Sequence, residues 1–336
     1  MPNPVRLLCL AASTALVALA FLPGPSRLLA AAPPGTDLYT LGPDSKPQEG
    51  VPKGKLIKAQ ITSKIYDGRV FTYQVYVPAQ YDPAKPAALM VFQDGSNYVR
   101  EVQPNGQPGA WFVHVVFDNL IHKKEMPVTI GVFVDPTSQR SQEYDSLGDR
   151  YARFLIEDLL PEVGKSWNIT KDPEGHAISG FSSGAICAFT VAWERPDQFR
   201  KITTFFGSFT SIAWRPARGD QPAASGGEIY PTLIRRTPIK PLKIFIQDGS
   251  NDLNNQYGNW FLANQQMVSA LEWANANPPG QGRGGRGARD GSASTNAPSL
   301  VRYQVNHAFG DGGHTANHGA SLFPDILRWL WKDYQP

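Results

Sequence analysis

The chain has 336 residues, 41% of them hydrophobic and 18% charged, which is the balance of a globular protein with one large α/β domain or two small ones. The formal net charge is +3, and no basic run is interleaved with aromatics, so nucleic acid is excluded as a partner class.

The first residues read as a leader. Arg6 precedes an apolar stretch, Leu7 to Leu22, which Pro23, Gly24 and Pro25 end early. That stretch is short for a membrane span of about 20 residues. Ala30 to Ala32 offer small side chains for cleavage, so residues 1–32 are expected to be a secretory signal peptide. An exported protein follows, periplasmic or extracellular, with no membrane attachment after cleavage. Cys9 goes with the leader, which leaves Cys187 alone and no intrachain disulfide.

Residues 33–55 are rich in Pro, Gly and Lys and read as an extended lead-in. Residues 56–78 alternate around Asp67-Gly68, the signal of an antiparallel hairpin. Short apolar runs then alternate with helical patterns. The runs are Ala87–Phe92, Val128–Val134, His176–Ser179, Ile202–Phe206, Leu242–Ile246 and Val301–Val305. The helical stretches are Trp111–His122, Leu147–Gly164, Ser183–Arg195, Trp260–Asn275 and Phe323–Trp331. Buried runs alternating with helices predict a mostly parallel, twisted sheet with helices on both faces. Residues 56–336 are expected to form this single domain. Residues 275–299, built of Gly, Pro, Ser and Arg, have little to bury and read as a flexible surface loop. No repeat with a period of 20–50 residues is present.

Chemistry concentrates in HAISGFSSGAICAF. It holds Gly180-Phe181-Ser182-Ser183-Gly184, a G-x-S-x-G between a short strand and an apolar helix. In that context the pattern predicts a nucleophile elbow, with the Ser182 hydroxyl raised above the sheet edge. The plainer reading is a strand-to-helix turn capped by serine. A serine nucleophile needs a base and an acid that orients it. His114 and His122 precede it on a helical stretch, and His176 lies in the strand before it. His307, His314 and His318 follow. His314, in the Gly-rich stretch before the last helix, is the expected base. His314 and His318 also have helical metal-ligand spacing, but Gly312 and Gly313 precede them and no H-E-x-x-H exists, so no metal is expected. The acid should follow the strand Leu242–Ile246, where QDGSNDLNN offers Asp252 first, carried toward the histidine by a turn expected at Gly249, and Asp248 second, before that turn.

QDGSN also occurs at Gln93–Asn97, so the motif marks two strand ends at one sheet edge. The first copy is expected to supply an oxyanion-hole N–H from Ser96, paired with the Ser183 N–H. Trp111, Trp214, Tyr257 and Trp260 are candidates to stack a substrate ring, and Arg140 to contact its polar part.

Taken together, QDGSNYV, FDNLIHKKEMPVTIGVFVDP, QRSQEYDSLGDRYARFLIEDLLPEV, GFSSG, QDGSNDLNN and GDGGHTANHGASLFPDILRWLWKDY resemble the esterase D/enterochelin esterase-like group of α/β-hydrolases. The similarity spans residues 56–336 apart from the 275–299 segment, which departs from the group. It implies an α/β-hydrolase fold and serine ester hydrolysis without a cofactor, with Ser182, Asp252 and His314 at the matching positions. Such enzymes act on siderophore trilactones, feruloyl and acetylxylan esters, and formylglutathione. The expectation is an exported esterase acting on carbohydrate-linked or phenolic esters such as acetyl or feruloyl esters. A periplasmic siderophore esterase and a non-catalytic binding domain on the same fold are the alternatives.

Overall fold

A computed structural model describes residues 39–278, apart from 105 and 107, and residues 301–336. The expected leader, the start of the lead-in and most of the 275–299 segment lie outside the described residues.

β1 (Lys55–Thr62) and β2 (Val70–Val77) pair antiparallel, with Lys55 opposite Val77 and Thr62 opposite Val70. The connection is residues 63–69, longer than a two-residue hairpin turn. Asp67 and Gly68 both take positive φ, the conformation that an Asp-Gly pair tolerates best. Pairing of β2 with β4 (Thr129–Val134) joins this ribbon to the main sheet. The described strands then run parallel through β3 (Ala88–Gln93), β5 (His176–Phe181), β6 (Lys201–Phe205), β7 (Lys243–Asn251) and β10 (Gln304–Gly313). The order across the sheet is β1-β2-β4-β3-β5-β6-β7-β10. Between β7 and β10 lies a two-residue ribbon, β8 (Asn254–Asn255) with β9 (Gly258–Asn259).

β3, β4 and β6 are buried along their whole length because both faces of the sheet are covered. Leu89, Val91, Ile178, Ile202 and Ile244 face one layer of helices: α4 (Arg150–Arg153), α6 (Ser183–Glu194), α7 (Tyr230–Arg236) and α8 (Trp260–Ala276). Ala88, Met90, Phe92 and Phe205 face the other, made of α1 (Ser96–Val99), α2 (Val113–His122) and α9 (Ala316–Trp331). The alternation follows from the two-residue period of a strand. The helical pattern over 147–164 is broken into three. α4 leads into a π-helical turn, Phe154–Leu159, and then α5 (Leu160–Gly164). Pro161 has no N–H to donate, so the turn before it widens.

Several boundaries differ from the sequence reading. β7 runs on to Asn251 and β10 to Gly313, because the Gly-rich stretches pair with each other beyond the apolar runs. α9 begins seven residues earlier than its apolar pattern, at Ala316. Asn275 and Ala276 belong to α8, and Asn275 holds Tyr303 through its side-chain amide, so the loop does not start at 275. The short α3 (Arg140–Tyr144) lacks a periodic signal because its packing depends on single contacts from Glu143 and Tyr144.

Candidate active site

Ser182 stands where β5 hands over to α6, at φ +53° and ψ −127°. This region is sparsely populated for a residue with a Cβ and costs on the order of 1–3 kcal/mol unless neighbours impose it. They do so here. Ser182 N–H donates to the Phe205 carbonyl, and the Ser182 carbonyl accepts from Ser208 and Ala185 N–H. A Cβ at Gly180 would lie 2.0 Å from the Gly184 carbonyl oxygen, so only glycine lets strand and helix cross this closely. The N–H groups of Ser183 and Gly184 donate to no acceptor among the described residues, as befits the first turn of a helix.

His314 directly follows β10, and Asp252 directly follows β7. The pairing of those strands ends at Gly313 opposite Asn251, so the two side chains emerge side by side. Gly249 makes the approach possible, because a Cβ there would lie 2.1 Å from the Gly312 carbonyl oxygen. The result is one hydrogen-bonded chain. Ser182 Oγ is 2.9 Å from His314 Nε2, and His314 Nδ1 is 2.6 Å from Asp252 Oδ1. A carboxylate only accepts, so Nδ1 carries the proton and Nε2 is free to take one from Ser182. The ring of Phe206 lies edge-on to His314 at 4.8 Å and limits its rotation.

Asp248 lies behind this chain. Its side chain is buried, accepting from Gly249 N–H at 2.7 Å and from Asn264 Nδ2 at 2.7 Å. Burial and then the adjoining Asp252 carboxylate push its pKa up to about 9. Both causes favour the protonated form of Asp248. Asp252 Oδ2 is buried and takes no hydrogen bond among the described residues. The turn expected at Gly249 does not occur there. β7 continues straight through Asp248 and Gly249, and the chain turns only afterwards, where Asp252 N–H reaches back to the Gly249 carbonyl.

The first QDGSN copy is built differently. Asp94 is left-handed, at φ +58°, and its carboxylate takes both Nε and Nη2 of Arg140 at 2.7 Å each. Ser96 is not a free oxyanion donor. Its N–H donates to Asp135 Oδ1 at 2.8 Å. The other amides of this turn are committed as well: Asp94 N–H to Tyr144 Oη, Gly95 to Val134, Asn97 to Asp94 and Tyr98 to Gly95. Ser183 N–H is the available donor of the expected pair.

The candidate substrate residues divide. Trp111 is 2% exposed and packs among Tyr98, Phe205 and Phe323, so it is core rather than site. Trp260 is also 2% exposed, and its Nε1–H is spent on Ser208 Oγ at 2.8 Å. Arg140 is committed to Asp94. Trp214 and Tyr257 are 53% and 41% exposed, on the loops that leave β6 and β7. Ser211 ties those loops together through the Tyr257 carbonyl. His318 points away from Ser182. It stacks on Tyr39 at 4.1 Å, accepts from Gln247 Nε2, and is pushed down to about 4 by burial. No cluster of three or more His, Cys, Asp or Glu able to hold a metal ion occurs among the described residues.

Ser208, Asn264, Phe206 and Tyr39 escaped the sequence reading. The only available signal was position, since Phe206 and Ser208 follow a strand that ends at the same sheet edge as Ser182.

The family model described as "Putative esterase" matches residues 64–283. The uncharacterized protein YjcH of Bacillus subtilis (strain 168) is 26% identical over 136 residues, which cover 39% of this chain and 53% of that protein. YbbA of the same organism is 25% identical over 170 residues, covering 46% and 62%. The chain thus spans little more than half of these curated relatives. Among solved structures, the enterobactin esterase of Shigella flexneri in the presence of enterobactin aligns with a TM-score of 0.60 at 17% identity, covering 85% of this chain and 61% of that one. A ferulic acid esterase of Anaeromyces mucronatus in complex with ferulic acid aligns at 0.56 and 17% identity, covering 84% and 93%. At such identities the structural likeness is one of fold, that of an α/β-hydrolase. The family match runs from the β1–β2 connection to beyond α8 and takes in both Ser182 and Asp252, so this chain belongs to the esterase family of α/β-hydrolases.

Proposed function

We propose that the chain is a serine esterase that cleaves carboxylic esters through an acyl-enzyme. The observation that carries this reading is the Ser182–His314–Asp252 chain, at 2.9 and 2.6 Å, assembled from the ends of three strands. Ser182 Oγ attacks the ester carbonyl carbon while His314 Nε2 takes the hydroxyl proton. Asp252 holds Nδ1–H and balances the imidazolium that forms. The carbonyl oxygen becomes an oxyanion beside the Ser183 N–H at the start of α6, where the helix end favours negative charge. Collapse breaks the bond to the alcohol, which leaves with the proton from His314. Water then gives its proton to His314, attacks the acyl carbon, and releases the carboxylic acid and Ser182.

Phenolic or carbohydrate-linked esters are the substrate class we favour. Trp214 and Tyr257 supply exposed aromatic faces near the site, suited to stacking a ring. The leader-like residues 1–32 support action outside the cytoplasm, where polymeric esters are met. The two structural neighbours named above were solved with enterobactin and with ferulic acid, and ferulic acid is a phenolic acid, which supports phenolic esters here too.

A fluorophosphonate probe should label Ser182 in the wild type and fail on Ser182→Ala, whose turnover should fall by about 10⁴–10⁶. A panel of acetyl, feruloyl and trilactone esters then ranks the substrates. Full turnover in Ser182→Ala would end this reading.

A further inference from the structure

Ser208 touches the proposed nucleophile and has no role in the mechanism above. It lies in the loop after β6, and its side chain is 0% exposed, so water cannot satisfy its hydroxyl. Its oxygen has two side-chain partners: Ser182 Oγ at 3.2 Å and Trp260 Nε1 at 2.8 Å. The direction of each bond follows from the two ends of the chain. Indole N–H donates and never accepts, so Trp260 feeds a proton toward Ser208. Asp252 accepts and never donates, so His314 presents a bare Nε2 to Ser182. Ser182 has one proton, and Nε2 needs it. The contact between the two serines can therefore be made only by the proton of Ser208.

We propose that Ser208 is an orienting donor for the nucleophile. Its hydroxyl, fixed by Trp260, donates to Ser182 Oγ and turns the single Ser182 proton toward His314. The proposal rests on Ser182 being the nucleophile. It adds a consequence that the three-residue chain lacks. As the proton moves to Nε2, negative charge grows on Ser182 Oγ, and Ser208 already donates to that atom without reorganisation. The same bond holds Oγ in one rotamer despite the strained backbone at φ +53°. Trp260 then serves the site through its N–H from beneath, instead of stacking substrate. Asn264, one helical turn along α8, bonds the carbonyls of Gly207 and Trp260 and so locks the loop to the helix.

The test measures acylation per active site, titrated by the burst with p-nitrophenyl acetate, together with melting temperature. Ser208→Ala should slow acylation roughly tenfold, the worth of one hydrogen bond, with KM nearly unchanged. Trp260→Phe keeps an aromatic ring but deletes the donor along with part of the buried indole, so its melting temperature is read beside its rate, and it should slow acylation by a smaller factor. The double variant should be no slower than Ser208→Ala, because Trp260 acts through Ser208. A merely structural hydroxyl predicts something else: a lower melting temperature with the wild-type acylation rate in the molecules that remain folded. That result overturns the proposal, as would multiplying effects in the double variant. Ser182→Ala separates the two levels. If it still turns over, the nucleophile itself is misassigned. If it is dead while Ser208→Ala acylates at the wild-type rate, the esterase reading stands and the role of Ser208 falls.

Discussion

At the scale of single residues, the two aspartates after β7 divide the work by protonation. Asp252 accepts from His314, so replacing it with asparagine should leave the fold intact and cut turnover by about 10⁴, because the amide favours the wrong imidazole tautomer. Steady-state kinetics on a variant with an unchanged circular dichroism spectrum checks this. Asp248 should behave differently. Its pKa is raised from an ordinary 3.8 to about 9, by burial first and by Asp252 second. Between those values the folded state holds a proton that the unfolded chain has released. The associated stability is full below about 4 and is lost as pH rises through about 9. Melting temperature should therefore decline toward alkaline pH in the wild type. Asp248→Asn cannot titrate and should show a shallower decline; equal slopes would show that Asp248 is ionised throughout. Ser182, Asp252 and His314 were legible as candidates because each sits next to a strand end with its own local pattern. The choice between Asp252 and Asp248 rested on a turn at Gly249 that the chain does not make. What separates them is burial beside Asn264 and the reach of His314, neither of which is a local property of the sequence.

At the scale of elements, the site depends on how far β7 and β10 stay paired. Their apolar cores end near Ile246 and Val305, yet the ladder continues through Gly-rich sequence to Asn251 and Gly313. Period-based reading stops where apolar residues stop, which is why both strands came out short. Backbone hydrogen bonds carry the rest, helped by Asn251 Nδ2 donating to the Asp311 carbonyl at 2.6 Å. Tyr39 adds a clamp from the N-terminal side, donating to the Asp311 carboxylate and accepting from Asp311 N–H at 3.1 Å. Gly249 is the tightest point, since any Cβ would strike the Gly312 backbone. Gly249→Ala should thus push β10 away and cost about 1–3 kcal/mol by overpacking. Turnover should fall with it, because the same shift separates His314 from Asp252. A melting curve and a kinetic assay on one sample decide the matter, and wild-type values in both would mean that the strands slide apart without disturbing the site. The helices show the complementary case. α6 and α8 were legible to within one residue because each is long and flanked by clear signals. α1 and α3 were missed because helices of four or five residues carry no period.

At the scale of the whole molecule, one sheet serves two cores. Each parallel strand sends alternate residues to opposite faces, so neither helical layer can detach without exposing strand side chains on its own side. Phe92 belongs to the α2–α9 face, stacked on Phe133 at 4.6 Å and near Phe323. Ile178 belongs to the α6–α8 face, one strand away. The proposed catalytic groups hang from β5, β7 and β10 of this same sheet, and Ser208 from β6, so the site has no scaffold independent of either core. Phe92→Ala should cost about 3–5 kcal/mol and Ile178→Ala about 2–5 kcal/mol, each through the cavity left behind. Because the strands are shared, both variants should lower one common transition, and esterase activity should disappear within that transition. Melting followed in parallel by near-ultraviolet circular dichroism and by residual hydrolysis of p-nitrophenyl acetate tests this. Two separated transitions, with Phe92→Ala moving one and Ile178→Ala the other, would show that the faces unfold independently and that the sheet does not couple them.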